Sequence, residues 1–96
     1  MTHIKLLKLV GVFAENKDIA REIRLDKLIP SLEKGKGIIL DFEGIEGVTQ
    51  SFMHALISDL IRKYGGDVLE KIRFKSCNDT VKSIVTIVAN YMQESE

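Results

Sequence analysis

The sequence contains one cysteine, one proline and no long apolar run. A single cysteine, Cys77, excludes a disulfide within the chain, so a reducing compartment is the simplest setting. No apolar run approaches the roughly 18 residues that a membrane-spanning helix needs. The first residues, MTHIKLLKLVGVFAENK, have charges inside their apolar stretch, which is not typical of a signal peptide. We therefore expect a cytoplasmic protein that contacts no membrane.

An excess of charge of one sign is also missing, because fourteen basic residues balance fourteen acidic ones. Sequence-independent binding of nucleic acid needs a basic surface, so the overall charge predicts no nucleic-acid partner, although it allows a local basic patch. The 96 residues are 45% hydrophobic, which is enough for the core of one small domain. We predict a single domain over residues 1–96.

Residues 18–34 predict the first long helix. Asn16 or Asp18 is placed to cap its N-terminus. Pro30 falls inside the run, so we expect either a kink or two short helices with Asp26 capping the second. The core-facing stripe has i, i+3, i+4, i+7 spacing and consists of Leu25, Leu28, Ile29 and Leu32.

Three further runs predict strands. Residues 4–13 are β-capable, with Gly11 at a bulge or at the strand's end. Residues 38–42, IILDF, are typical of a central strand buried on both faces, and residues 72–76 alternate as a strand does. A last helix, capped by Asn78 or Asp79, follows them. The resulting order, β-α-β-α-β-α, predicts an α/β fold with helices packed on a single parallel or mixed sheet.

The segment after residue 50 predicts an amphipathic helix from about Ser51 to Tyr64, ended by Gly65 and Gly66. At 100° per residue its apolar face consists of Phe52, Met53, Leu56, Ile57, Leu60, Ile61 and Tyr64. The opposite face consists of Ser51, His54, Ala55, Ser58 and Arg62. This polar face would suit a binding partner.

Candidate catalytic residues are few. Asp41 and Glu43 would share a face of a regular strand, and His54 is the nearest histidine in sequence. No histidine has Cys or His neighbours at the spacing of metal ligands. We therefore expect no metal site, no cofactor and no enzymatic activity, and we rank an enzyme that uses Asp41, Glu43 and His54 as the third hypothesis.

The triplet Thr49-Gln50-Ser51 stands where the amphipathic helix begins. Thr49 or Ser51 is suited to accept hydrogen bonds from the free N–H groups of the first turn. A phosphate on Ser51 would meet the same N–H groups and the positive end of the helix dipole. Capping alone is sufficient to explain the triplet, and recognition by a partner or a modifying enzyme is the alternative.

The sequence LDFEGIEGVTQSF, with the later IRFKSCND, resembles the prokaryotic STAS-like family of unknown function over about residues 17–92. It is more distantly similar to the STAS domains of anti-sigma-factor antagonists. In those domains a serine or threonine at this helix start is phosphorylated by a histidine-kinase-like partner, and aligning the strand acids places Ser51 there. Thr49 then stands in place of the antagonists' aspartate and Phe52 in place of their glycine.

The resemblance implies a STAS-like fold and gives the first hypothesis, a small regulatory protein-interaction module. Its partner would be a histidine-kinase-like ATPase or another regulator, with a phosphorylation switch at Ser51. The second hypothesis is a small-ligand or nucleotide-binding domain that uses the N-terminus of helix 51–64 as an anion site. The candidate residues are Thr49, Gln50, Ser51, His54, Ser58 and Arg62, supported by Asp41 and Glu43.

Overall fold

The computed structural model describes the backbone of residues 1–94 and the side chains of residues 1–92. Its strands are β1 (Thr2–Lys5), β2 (Phe13–Ala14), β3 (Ile38–Asp41), β4 (Gly47–Val48) and β5 (Ile72–Lys75). All of their pairings are parallel. One sheet has the order β1-β3-β5, and a second pairs β2 with β4. Parallel sheets with packed helices confirm the predicted α/β class.

Helices connect the strands, and two of them contain a π-helical turn, in which backbone hydrogen bonds join residues five apart. Helix α1 is Leu7–Val10. Helix α2 consists of Lys17–Ile23, the π-helical turn Arg24–Leu28 and Ile29–Glu33. Helix α3 consists of Gln50–Met53, the π-helical turn His54–Ser58 and Asp59–Tyr64. A 3₁₀ helix covers Gly66–Lys71, and α4 is Asp79–Glu94.

β3 lies in the middle of the larger sheet, as the sequence predicted. On one face, Ile38 and Leu40 join the hydrophobic core that the sheet forms with the helices. On the other face, Ile39 is half-buried and Asp41 is buried. The residues beside them on the edge strands are all exposed, and they are His3, Lys5, Arg73 and Lys75. The prediction of a strand buried on both faces therefore agrees with the burial of Ile38, Leu40 and Asp41, and only Ile39 on the second face is half-buried.

The apolar face of α3 supplies much of the core. The residues predicted to face inward are fully buried, apart from the half-buried Tyr64, and they are Phe52, Met53, Leu56, Ile57, Leu60 and Ile61. Burying each such side chain contributes about 1.5–3 kcal/mol to folding. Helix α4 packs on the same core through Val81, Val88 and Met92. Its cap is Asn78, whose Oδ1 accepts the N–H of Val81 at 2.8 Å.

The prediction of one strand over residues 4–13 is wrong. After β1 the chain makes the short helix α1, and Gly11 then adopts a positive φ of 78° before β2 begins. This helical turn follows Leu6, which is fully buried. The partner of β2 is β4, which the sequence did not predict. The structure therefore has two sheets, and its element order is longer than β-α-β-α-β-α.

The prediction for the first long helix is correct at its start and wrong in its middle. Asn16 caps α2 by accepting the N–H groups of Asp18 and Ile19. Asp26 lies inside the π-helical turn and caps nothing, and Pro30 stands at the start of the following α-helical part. A π-helical turn adds a residue and so rotates the rest of the helix about its axis. For this reason Leu25, predicted to face the core, is 46% exposed.

Candidate functional site

The start of α3 is capped by Thr49. Its Oγ1 accepts the N–H of Phe52 at 3.1 Å, and its own N–H donates to the carbonyl of Ala14 at the end of β2. Gln50 and Ser51 follow in the first turn, and both are exposed. Of the two residues that the sequence left open as caps, Thr49 has this role. The hydroxyl of Ser51 is therefore available to solvent.

The polar face predicted for α3 is not continuous. Ser58 is buried, and its hydroxyl donates a hydrogen bond to the carbonyl of His54. The ring of His54 is half-buried and packs edge-on against Tyr91 of α4, with 5.7 Å between the ring centroids. Arg62 is exposed and pairs with Asp59 at 3.0 Å. The exposed candidates thus divide into Gln50 and Ser51 at one end and Arg62 near the other.

The middle of that face is covered by α2, through a residue that the sequence did not single out. Arg24 is 8% exposed and opens the π-helical turn of α2. Its Nη1 donates to the carbonyl of Ala55 at 2.6 Å and lies 3.0 Å from a carboxylate oxygen of Asp59. The two π-helical turns are therefore in contact through Arg24. Sequence reasoning missed it because an arginine on a helix is usually solvated.

The acidic candidates do not meet His54. Asp41 is 2% exposed; one oxygen accepts the backbone N–H of Glu43 at 3.0 Å, and the other lies 2.9 Å from Nε2 of His3. These hydrogen bonds, that from Glu43 first, hold the pKa of Asp41 below its ordinary value. The carboxylate of Glu43 is exposed, and His54 packs on α4. Asp41 pairs instead with His3, which parallel pairing of β1 and β3 brings alongside.

Among the described side chains, no three His, Cys, Asp or Glu residues are grouped so that they could hold a metal ion. The partners of Asp41 are a backbone amide and one histidine, which is a structural rather than a chelating arrangement.

Three exposed apolar side chains lie beside the loop that leads into α3, and we call Leu7, Val12 and Phe13 the apolar rim. They are 37%, 53% and 49% exposed. Leu7 packs over Gly44, where an added Cβ would lie 2.7 Å from its Cδ2. Phe13 packs over Gly47, with 3.0 Å for the corresponding distance. The loop thus lacks side chains where the rim covers it.

The rim is attached to the helix start by backbone hydrogen bonds. The carbonyl of Val12 accepts the N–H of Glu46 at 2.7 Å, and the carbonyl of Ala14 accepts that of Thr49 at 3.0 Å. The pairing of β2 with β4 supports both contacts. Exposed apolar and small polar groups therefore adjoin at this end of the molecule.

Comparison with known proteins adds a family and no individual relative. None of the helices within residues 1–94 has the length and apolar character that crossing a membrane requires. No curated protein and no solved structure matches the chain. The model of one family, described as a STAS-like domain of unknown function (DUF4325), matches residues 20–82, from α2 through β3, α3 and β5 to the first turn of α4. Because this match covers most of the sequence, the chain belongs to that STAS-like family.

Proposed function

We propose that the chain is a small regulatory protein-interaction module whose partner docks on the start of α3. The docking surface consists of Gln50, Ser51 and the apolar rim. The observation that carries this proposal is the exposure of three large apolar side chains beside an exposed helix start. A protein partner gains free energy by covering such side chains, whereas a nucleotide phosphate would gain little from them.

The partner is a histidine-kinase-like ATPase or another regulator, a proposal that rests on the similarity to anti-sigma-factor antagonists. The exposed hydroxyl of Ser51 is the position for phosphorylation. A phosphate in the first turn of α3 is compatible with folding, because the N-terminal end of a helix favours negative charge. The same charge would oppose a partner that covers this surface, which provides the switch.

The module acts without enzymatic activity or a cofactor of its own. The carboxylate of Asp41 is bonded to His3 and to the backbone of Glu43, whereas His54 packs on α4, so the three candidates do not form a general acid and base group. His54, Ser58 and Arg62, which the sequence offered as partner contacts, are peripheral to this proposal. Ser58 is buried, and His54 packs on α4.

The second candidate function remains an anion or nucleotide site at the helix start. It has less support, because the side chain of Thr49 already accepts the N–H of Phe52. Isothermal titration of the full chain with ATP and with inorganic phosphate distinguishes the two functions. Binding that disappears in Ser51→Asp would favour the anion site over the protein partner.

The main experiment combines affinity capture from the native host with variants of the docking surface. Ser51→Asp should lose the captured partner, since a charge left unpaired at an interface costs roughly 2–5 kcal/mol, at least about thirtyfold in affinity. Phe13→Ser should lose it because it removes apolar surface that the partner would cover. Ser83→Asp is the matched control, because Ser83 is an exposed serine on α4. Intact-mass analysis of the native protein tests for a phosphate on Ser51.

The proposal requires the variants to be folded, which circular dichroism and a urea melt establish on the same samples. Capture of some protein by the wild type is not sufficient support. If folded Ser51→Asp and Phe13→Ser keep the same partner as Ser83→Asp, this end of the molecule is not the docking surface.

A further inference from the structure

Strand β1 is an edge of the larger sheet, with β3 on one side only. The N–H groups of Thr2 and Leu6 donate to the carbonyls of Gly37 and Asp41 on the β3 side. Because successive residues of a strand direct their backbone groups to alternate sides, His3 and Lys5 direct theirs to the open side. An edge of this kind offers both donors and acceptors to another extended chain.

A groove of about 540 Å³ runs along this open edge, with α2 and the residues just after it as its opposite wall. Five lysines and one aspartate line it, and these are Lys5, Lys8, Lys27, Lys34, Lys36 and Asp26. None of the five lysines forms an ion pair with any of the described side chains. The chain as a whole has no net charge. The groove is therefore a local concentration of unpaired positive charge.

Lysine on an edge strand has a structural explanation, since it discourages pairing between copies of a sheet. That explanation accounts for Lys5. It does not account for Lys27 on α2 and Lys34 at its C-terminal end, which lie across the groove from the strand. Positive charge on both walls indicates instead that a negatively charged occupant is favoured between them.

The backbone of β1 selects the kind of occupant. Its free amides and carbonyls are complementary to the main chain of an extended peptide, which can add as a further strand. Single-stranded nucleic acid is instead bound by aromatic platforms together with positive charge. The groove includes no Phe, Tyr or Trp, and beside its charged residues it is lined by aliphatic residues, by Thr2 and Ser31, and by a single imidazole, that of His3.

We propose that the groove beside β1 binds an extended, acidic segment of a protein partner, which pairs with β1 as an added strand. The backbone of His3 and Lys5 supplies the main-chain hydrogen bonds. Lys27 and Lys34 on the opposite wall supply the charge that selects aspartate and glutamate. This surface is formed by β1 and α2, so the proposal does not depend on Ser51 or the apolar rim.

The experiment begins with a displayed library of random peptides of about eight residues, long enough to span an edge strand. Selection on the immobilised full chain should enrich sequences with several Asp or Glu residues. An enriched peptide is then synthesised and titrated. In hydrogen exchange, the amides of His3 and Lys5 should become protected when it binds.

The matched variants change charge inside and outside the groove by the same amount. The double variant Lys27→Glu/Lys34→Glu should bind the peptide about tenfold more weakly or worse. The control Lys17→Glu/Lys82→Glu reverses two exposed lysines that do not line the groove, and it should bind like the wild type. A copy of the peptide with alternate main-chain nitrogens methylated should also lose binding, because it cannot complete the added strand.

Several results would overturn the proposal. They are a library that enriches no acidic residues, equal binding by the two double variants, unchanged exchange at His3 and Lys5, and undiminished binding of the methylated peptide. A single-stranded oligonucleotide that binds the groove more tightly than the peptide would assign the surface to nucleic acid instead. The tests on the wild-type chain with the two forms of the peptide do not depend on the folding of any variant.

Discussion

Thr49 and Ser51 offer a direct test of which side chain stabilises the start of α3. They are two residues apart and both carry a hydroxyl. In the structure only Thr49 accepts a helix N–H, that of Phe52 at 3.1 Å, while Ser51 is exposed in the first turn. We therefore expect Thr49→Ala to destabilise the protein and Ser51→Ala to leave it nearly unchanged.

The expected magnitudes follow from the geometry. Removing an N-cap hydroxyl costs about 0.5–2 kcal/mol, typically near 1 kcal/mol. Ser51→Ala removes no cap and places a better helix former in the turn, so it should change stability by at most about 0.5 kcal/mol, in the favourable direction. Thr49→Ser keeps an oxygen in the same place, so we expect it to stay within a few tenths of a kcal/mol of the wild type.

The assay is a urea melt followed by circular dichroism, with a thermal melt on the same samples. A loss of about 1 kcal/mol lowers the melting temperature of a domain of this size by roughly 4–8 °C. The slope of the urea transition should be equal in all three variants, since none changes the surface exposed on unfolding. The assignment of the cap is refuted if Ser51→Ala loses as much stability as Thr49→Ala, or if Thr49→Ser fails to restore it.

Three other predictions use the same melts. Arg24→Met should lower the free energy of unfolding by about 1–3 kcal/mol, because it removes a buried hydrogen bond to α3. Asp59→Ala should lower it by less than about 1 kcal/mol, since that carboxylate is half-exposed. The lowered pKa of Asp41 stabilises the fold at pH values above the unfolded-state pKa of about 4, and this stability is lost as the pH falls through the folded-state pKa. Acid should therefore lower the stability of the wild type more than that of Asp41→Asn, and parallel curves of stability against pH would contradict this. Gly44→Ala should lower the free energy of unfolding by about 1–2 kcal/mol because of its positive φ, and by somewhat more than Gly35→Ala, since only the Cβ added at Gly44 meets Leu7. A larger loss at Gly35 would contradict the contact between Leu7 and Gly44.

The sequence predicted the N-terminal ends of two helices correctly. Asn16 and Asn78 cap α2 and α4 as two of the predicted candidates. The inward face of α3 from Phe52 to Ile61 and the middle position of β3 were also predicted. The caps and the inward face depend on hydrogen bonds and side-chain spacing within a few residues, so a local pattern is sufficient to determine them, whereas the position of β3 was inferred from its apolar composition.

The candidate site could be predicted only in part. The segment 49–51 was identified correctly as a helix start, but the sequence did not decide between Thr49 and Ser51 as the cap. Ser58 was predicted to lie on an exposed face and is buried in the π-helical turn at 54–58, where α2 packs against α3. The hydrophobic periodicity of the sequence does not indicate such a turn. In the structure, the turn is contacted by Arg24 of α2.

By itself, the sequence determined the α/β class, the two long amphipathic helices, the segments that contain their caps and the family to which the chain belongs. Only the tertiary structure decided the pairing of β2 with β4, the contact of His3 with Asp41 and the lysine-lined groove between β1 and α2. The physical reason is distance along the chain. Parallel strands pair across more than thirty intervening residues, so their partners depend on how the helices pack between them and not on any local pattern.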